Sequence, residues 1–248
     1  MRLRVGILAI GSLFWDSTAA RQRWRQTLTD EKVFVKATIR YGRKSSSRGN
    51  TYTMVFSSSA GVGQARVLSA APITSAEGLV EQAVALWTAE KNGNNSNDSI
   101  SANWGCVVLC TNPGSSVPES LVEEWSDRVE KEIANYRGFT TAENERNLVT
   151  ESGRLDIPWP MQANGEQLEF DLVLATANYP FQPGEPRPYP TTQQIADAWI
   201  AKPEFSNYFV SNREHGILTF QDGEIADRLR LGGINPDPLS CTSYQTFE

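Results

Sequence analysis

The apolar run Val5–Ile10, which stops at Gly11-Ser12, constrains the fold more than any other feature of this chain. An apolar segment this short and unbroken is expected as a strand covered on both faces, and a glycine at its end lets the backbone turn sharply. Arg2 and Arg4 precede the run in the manner of a secretory leader. The apolar stretch is short, however, Gly11 interrupts it, and no small-residue cleavage site follows in register. A buried first strand and a cytoplasmic location are therefore the expectations.

The chain has 248 residues, of which 40% are hydrophobic and 21% charged, enough to bury a sizeable core. Its net charge of −6 argues against a general nucleic-acid binder, which needs clustered Lys and Arg. No stretch approaches the roughly 20 apolar residues of a membrane span, so no membrane association is expected. Cys106, Cys110 and Cys241 are too few for a disulfide framework. Cys106 and Cys110 lie four apart in an apolar run and read as small core residues on one side of a strand. With His215 the only histidine, no ligand set for zinc is visible, and no metal or other cofactor is expected.

Helices are predicted over Thr18–Leu28, Ser75–Lys91, Glu119–Tyr136 and Thr191–Ala201, and strands over Val33–Tyr41, Thr51–Phe56, Ala65–Ala71, Trp104–Thr111 and Leu168–Ala175. A hairpin is predicted from Gly216–Phe220 and Glu224–Leu229, around Gln221-Asp222-Gly223. Three polar stretches read as connectors: basic Gly42–Asn50, the segment 92–101, and the proline-rich segment 180–190. The Gly-, Ser- and Pro-rich Asn112–Pro118 is the expected boundary between a core, 1–112, and an extension, 113–248, packed against it. Glu143 and Glu145 are expected on a solvated face.

Three segments carry candidate chemistry. Gly11-Ser12-Leu13 ends the first strand, where a tight turn leaves amide N–H groups free to face an anion. The stretch Arg40 to Thr51 combines Arg40, Arg43 and Arg48 with hydroxyl side chains, and arginine grips carboxylates through paired N–H groups. In Leu86-Trp87-Thr88-Ala89-Glu90-Lys91-Asn92-Gly93, Glu90 follows Leu86 by four and Trp87 by three. It thus flanks an apolar stripe at a helix end, where partial burial tunes a carboxyl group toward proton transfer.

The order of these segments resembles the γ-glutamylcyclotransferase superfamily, with the ChaC-type branch closest. The turn resembles the family's Y-G-S-L or Y-G-S-N signature. The basic stretch resembles R-x-F-x-x-x-S-x-x-x-R-G-T, with Arg40, Ser45 or Ser46, Arg48 and Gly49 in similar places. The helix end resembles L-D-x-R-E-K-x-G-Y, which Leu86, Glu90, Lys91 and Gly93 match. Ile10, Trp87, Ala89 and Asn94 depart from it, and the likeness stays within residues 7–93.

The resemblance implies an α+β fold, a mixed β-barrel-like sheet with flanking helices, followed by a C-terminal α/β extension. It implies an enzyme of lyase or acyltransferase type that cyclises a γ-glutamyl amide or peptide to 5-oxoproline and releases an amine or amino acid. Glu90 would be the proton shuttle. The amides of Gly11, Ser12 and Leu13 would hold the α-carboxylate or the oxyanion, and Arg48 or Arg43 a distal carboxylate. The partner would be a small γ-glutamyl-type molecule.

Two alternatives use the same residues. One is a protein on this fold that binds a small anion or metabolite without turning it over. The other is a γ-glutamyl amide transferase or hydrolase with Ser12 as nucleophile; it lacks a G-x-S-x-G motif, and its only histidine is distant in sequence.

Overall fold

A computed structural model describes residues 1–29, 31–95, 97–143, 145–181 and 187–237. The chain is a mixed α+β protein. Its strands are β1 (Val5–Ala9), β2 (Lys32–Ser45), β3 (Thr51–Phe56), β4 (Val62–Ser69), β5 (Ser101–Ala102), β6 (Gly105–Thr111) and β7 (Leu172–Asn178). Its helices are α1 (Ala19–Arg25), α2 (Ala76–Glu90), α3 (Glu119–Glu130), α4 (Ile133–Arg137), α5 (Thr192–Ile200), α6 (Asn207–Glu214) and α7 (Asp222–Leu231).

The seven strands form one sheet in the order β3-β2-β4-β1-β7-β6-β5. β1 is central and buried along its whole length, antiparallel to β4 on one side and parallel to β7 on the other. Every other neighbouring pair is antiparallel. Parallel neighbours need a long connection, and here most of the molecule lies between β1 and β7. The sheet does not divide at residue 112: β7 lies between β1 and β6, and its residues pair with both. One contiguous apolar cluster likewise joins Val5, Leu86 and Trp87 to Trp125, Trp199 and Phe209. No helix among the described residues is long and apolar enough to cross a membrane.

Helix α2 shows how local sequence sets an element. The Ser75 hydroxyl caps it by accepting from the Gly78 N–H at 3.3 Å. Leu79, Ala83, Leu86 and Trp87 follow helical spacing and are fully buried. In α5, Thr191 and Gln194 form a reciprocal capping box, and Ile195 and Trp199 face the core. Cys106 and Cys110 are buried on β6 and unpaired among the described residues, and burial pushes both thiols up, Cys110 to about 11.

Several expectations need correction. Gly42–Asn50 is not a loop throughout: β2 continues to Ser45, and a short 3-10 turn, Ser46–Arg48, follows. The helix expected over 119–136 is two helices, α3 and α4. Between them, Glu132 turns its carboxylate to accept from Ser99 and Ser101 hydroxyls, the Ile100 N–H and Arg128. The hairpin over 216–229 is instead a single bridge, Leu218 to Gln64, followed by α7. Ile225, Ala226 and Leu229 make a helical rather than an alternating stripe. Glu145 is not merely solvated: it accepts from the Ser57 hydroxyl at 2.5 Å and the Ser59 N–H at 2.9 Å. Cys241 and residues 182–186 of the proline-rich connector lie outside the described residues.

Candidate functional site

At the end of β1 the backbone closes one helical turn. Phe14 N–H bonds to Gly11 O, and Asp16 N–H bonds to Ser12 O at 2.8 Å. A first turn leaves its leading N–H groups without acceptors inside the turn, and those of Gly11, Ser12 and Leu13 have no acceptor among the described residues. Two arginines of α1 clamp the turn. Arg25 donates to Leu13 O at 2.7 Å and Asp16 O at 2.6 Å, while Arg21 donates to the Asp16 carboxylate at 2.8 Å. Burial pushes the Asp16 carboxyl up, but the Thr18 N–H and the Arg21 charge outweigh it and hold it below the usual range.

Glu90 is the last residue of α2, with a side chain 16% exposed. A carboxylate there faces the negative end of the helix dipole, which disfavours it. Arg21 compensates: its guanidinium lies 3.7 Å from the Glu90 carboxylate and donates to Ala89 O at 3.4 Å.

Strand β2 delivers the remaining cations through a bulge at Gly42. Tyr41 opposes Met54 and Arg43 opposes Thr53, so Arg43 shares a face with Thr53 instead of following Tyr41 into the core. A Cβ on Gly42 would lie 2.6 Å from Val55 Cγ2. Burial pushes the Arg43 guanidinium below its usual range, against the attraction of Glu90. Arg48, from the turn after β2, donates to the Ser12 hydroxyl at 2.9 Å. Arg40 lies elsewhere, 4.0 Å over the Tyr189 ring.

Gly11, Ser12, Leu13, Arg43, Arg48 and Glu90 all line one cavity of about 60 Å³. The Ser12 hydroxyl oxygen accepts from Arg21 at 3.0 Å and Arg48 at 2.9 Å. Both lone pairs are engaged, which leaves the hydroxyl a donor for anything in the cavity. His215 is remote from this role: its Nδ1 lies 2.8 Å from Ser211 O and its ring against Phe14 and Trp15.

The second half of the chain adds Thr176 and Asn178 of β7 and Tyr208 of α6 to the wall. Thr176 is 6% exposed, and its Oγ1 and the Asn178 Oδ1 are buried without hydrogen-bond partners among the described residues. Asn178 Nδ2 donates to Met54 O at 3.4 Å, tying β7 to β3 across the cavity. The Tyr208 hydroxyl accepts from the Met54 N–H at 3.4 Å, and its ring lies 4.5 Å beneath Arg48. Sequence reasoning missed these three residues and Arg21. Only Arg21 left a signal: a cation three residues before Trp24 on the inner face of a short helix.

Trp87 is fully buried and stacks on Trp104 at 4.6 Å, and Trp104 in turn lies 5.5 Å from the Arg43 guanidinium. An aromatic pair thus lies beneath a site cation. Among the described residues no three His, Cys, Asp or Glu side chains gather as a metal-binding group. No model of a known protein family matches this sequence, and neither a curated protein nor a solved structure matches the chain.

Proposed function

We infer that the chain is a γ-glutamylcyclotransferase-like enzyme, which cyclises a γ-glutamyl amide to 5-oxoproline and frees the amine. The observation that carries this is the lining of one cavity by a carboxylate, Glu90, and by the unsatisfied amides of Gly11, Ser12 and Leu13. The fold assignment to that superfamily belongs to the same proposal.

The lining combines two kinds of polar group. It holds donors, namely the three amides, the Ser12 hydroxyl and Arg48, and two buried oxygens without partners among the described residues, Thr176 Oγ1 and Asn178 Oδ1. A glutamyl head group has the matching pair, a carboxylate for the donors and an amine for the acceptors. Held this way, the α-amine attacks the γ-carbonyl of its own molecule, and proximity lowers the barrier. The new C–N bond forms as Glu90 takes a proton from the amine. Amide donors stabilise the oxyanion. Glu90 then returns the proton to the departing nitrogen as the old amide bond breaks. No water is consumed.

Transfer or hydrolysis through Ser12 is less well supported, because both lone pairs of its oxygen already accept from arginines. Anion binding without turnover has one observation in its favour, the gathering of Arg21, Arg43 and Arg48 about a single wall carboxylate. The test is Glu90→Gln. It retains the folded circular dichroism spectrum and loses 5-oxoproline release by at least about a hundredfold. Turnover within a few-fold of the unaltered protein removes Glu90 from the chemistry.

A further inference from the structure

Arg43 lines a second, larger hollow. This cleft, of about 440 Å³, shares Arg43 with the inner cavity and is bordered by Lys44, Tyr52, Trp104, Tyr179 and Phe181. Among the described residues no Asp or Glu lines it. Its aromatic walls are fixed in place. Trp104 stacks on buried Trp87, Tyr179 packs edge-on against Phe139 at 4.4 Å, and Tyr52 is 8% exposed. The Lys44 ammonium lies 5.7 Å from the Tyr52 ring, at the solvent side of the cleft.

We propose that this cleft receives the amine half of the substrate and selects an amine that carries both a flat apolar group and a carboxylate. The inference rests on the cyclotransferase assignment of the inner cavity. At about 60 Å³ that cavity has room for little beyond a glutamyl head group, so the rest of a γ-glutamyl amide has to leave it. Arg43 is common to both hollows, which makes its side of the inner cavity the exit toward the larger space. Fixed aromatic faces take a planar group by stacking. Arg43 and Lys44, with no acid among the described residues that line the cleft, attract a carboxylate and repel a cationic amine. γ-Glutamyl-phenylalanine has this chemistry, γ-glutamyl-phenethylamine lacks the carboxylate, and ε-(γ-glutamyl)-lysine retains a positive centre.

Calorimetric titration of these three compounds into the Glu90→Gln protein reads binding without turnover. γ-Glutamyl-phenylalanine binds at least about tenfold more tightly than either of the others. Adding Lys44→Gln, an exposed change outside the inner cavity, narrows its advantage over the phenethylamide to about threefold and leaves the phenethylamide affinity unchanged. Equal affinities, preference for the lysine compound, or no binding of any of the three overturns the cleft. Ligand-observed NMR on the unaltered protein repeats the comparison with 3-phenylpropanoate and phenethylamine: the carboxylate is retained, and preference for the amine or for neither overturns the proposal. Release of 5-oxoproline is measured separately. Selective binding without that product leaves the cleft standing and rejects the cyclotransferase assignment; turnover without preference does the reverse.

Discussion

Replacing Gly11 with alanine puts a methyl group where the Tyr208 hydroxyl already sits. A Cβ at residue 11 would lie 2.6 Å from Tyr208 Oη, well inside contact distance, yet 3.6 Å from the ring carbon that bears it. Tyr208 has little room to retreat: it is 6% exposed, its hydroxyl accepts from Met54, and Arg48 covers its ring. Forcing a group of this size into a packed interior costs about 1–3 kcal/mol. Tyr208→Phe alone strands the Met54 N–H and costs about 1 kcal/mol. Together the two changes are less harmful than their sum, because Phe removes the atom that clashes and leaves an ordinary contact. Urea unfolding of the four proteins, followed by fluorescence and circular dichroism, measures the cycle. A favourable coupling of about 1–2 kcal/mol is expected. Additivity within about 0.5 kcal/mol refutes the idea that the Tyr208 hydroxyl is what requires glycine at residue 11.

Asp222 is buried, and that burial pushes its carboxyl from 3.8 up to about 6 despite hydrogen bonds from Thr219. Between those values the folded chain holds a proton that the unfolded chain has released, so stability falls as pH rises through this window, by about 3 kcal/mol; Asp222→Asn flattens the decline in urea unfolding, and an unchanged slope rejects the assignment. Burial also pushes the Glu132 carboxyl up, but hydrogen bonds from Ser101, Arg128, Ser99 and Ile100 N–H outweigh it and hold it below the usual range. Glu132→Ala leaves those donors unmet, costs about 2–4 kcal/mol and speeds amide exchange at Ile100; unchanged exchange there shows that the loop does not depend on Glu132.

Elements governed by neighbouring residues were legible before any coordinates: the β1 run, all of β3, and the capped α2 with its four-residue stripe. The Gly11 turn, the Arg43 and Arg48 segment and the Glu90 helix end could be picked out individually, because each carries its chemistry within a few residues. Their meeting in one cavity depends on the sheet order, which no local pattern encodes. β7 was visible as an apolar run, but its parallel pairing with β1 spans well over a hundred residues of sequence. For the same reason Thr176 and Asn178 gave no sign of lining a cavity with Glu90. In α7, the Gln-Asp-Gly sequence that suggested a hairpin turn begins a helix instead. Gly223 there has open space around it, and tertiary packing of Ile225 and Leu229 overrides the local turn preference. The bulge at Gly42 was hidden because a single extra residue changes which face a side chain takes without altering composition.

The insertion of β7 between β1 and β6 has a consequence for how the protein is made. A ribosome delivers β1 and the Gly11 turn first, but the last contributor to the cavity wall is Tyr208. β1 waits with one edge open until β7, residues 172–178, has emerged, and the wall is complete only when Tyr208 follows. Emerging molecules therefore carry an exposed strand rim until β7 is made, and competence at the site arrives later still, with α6.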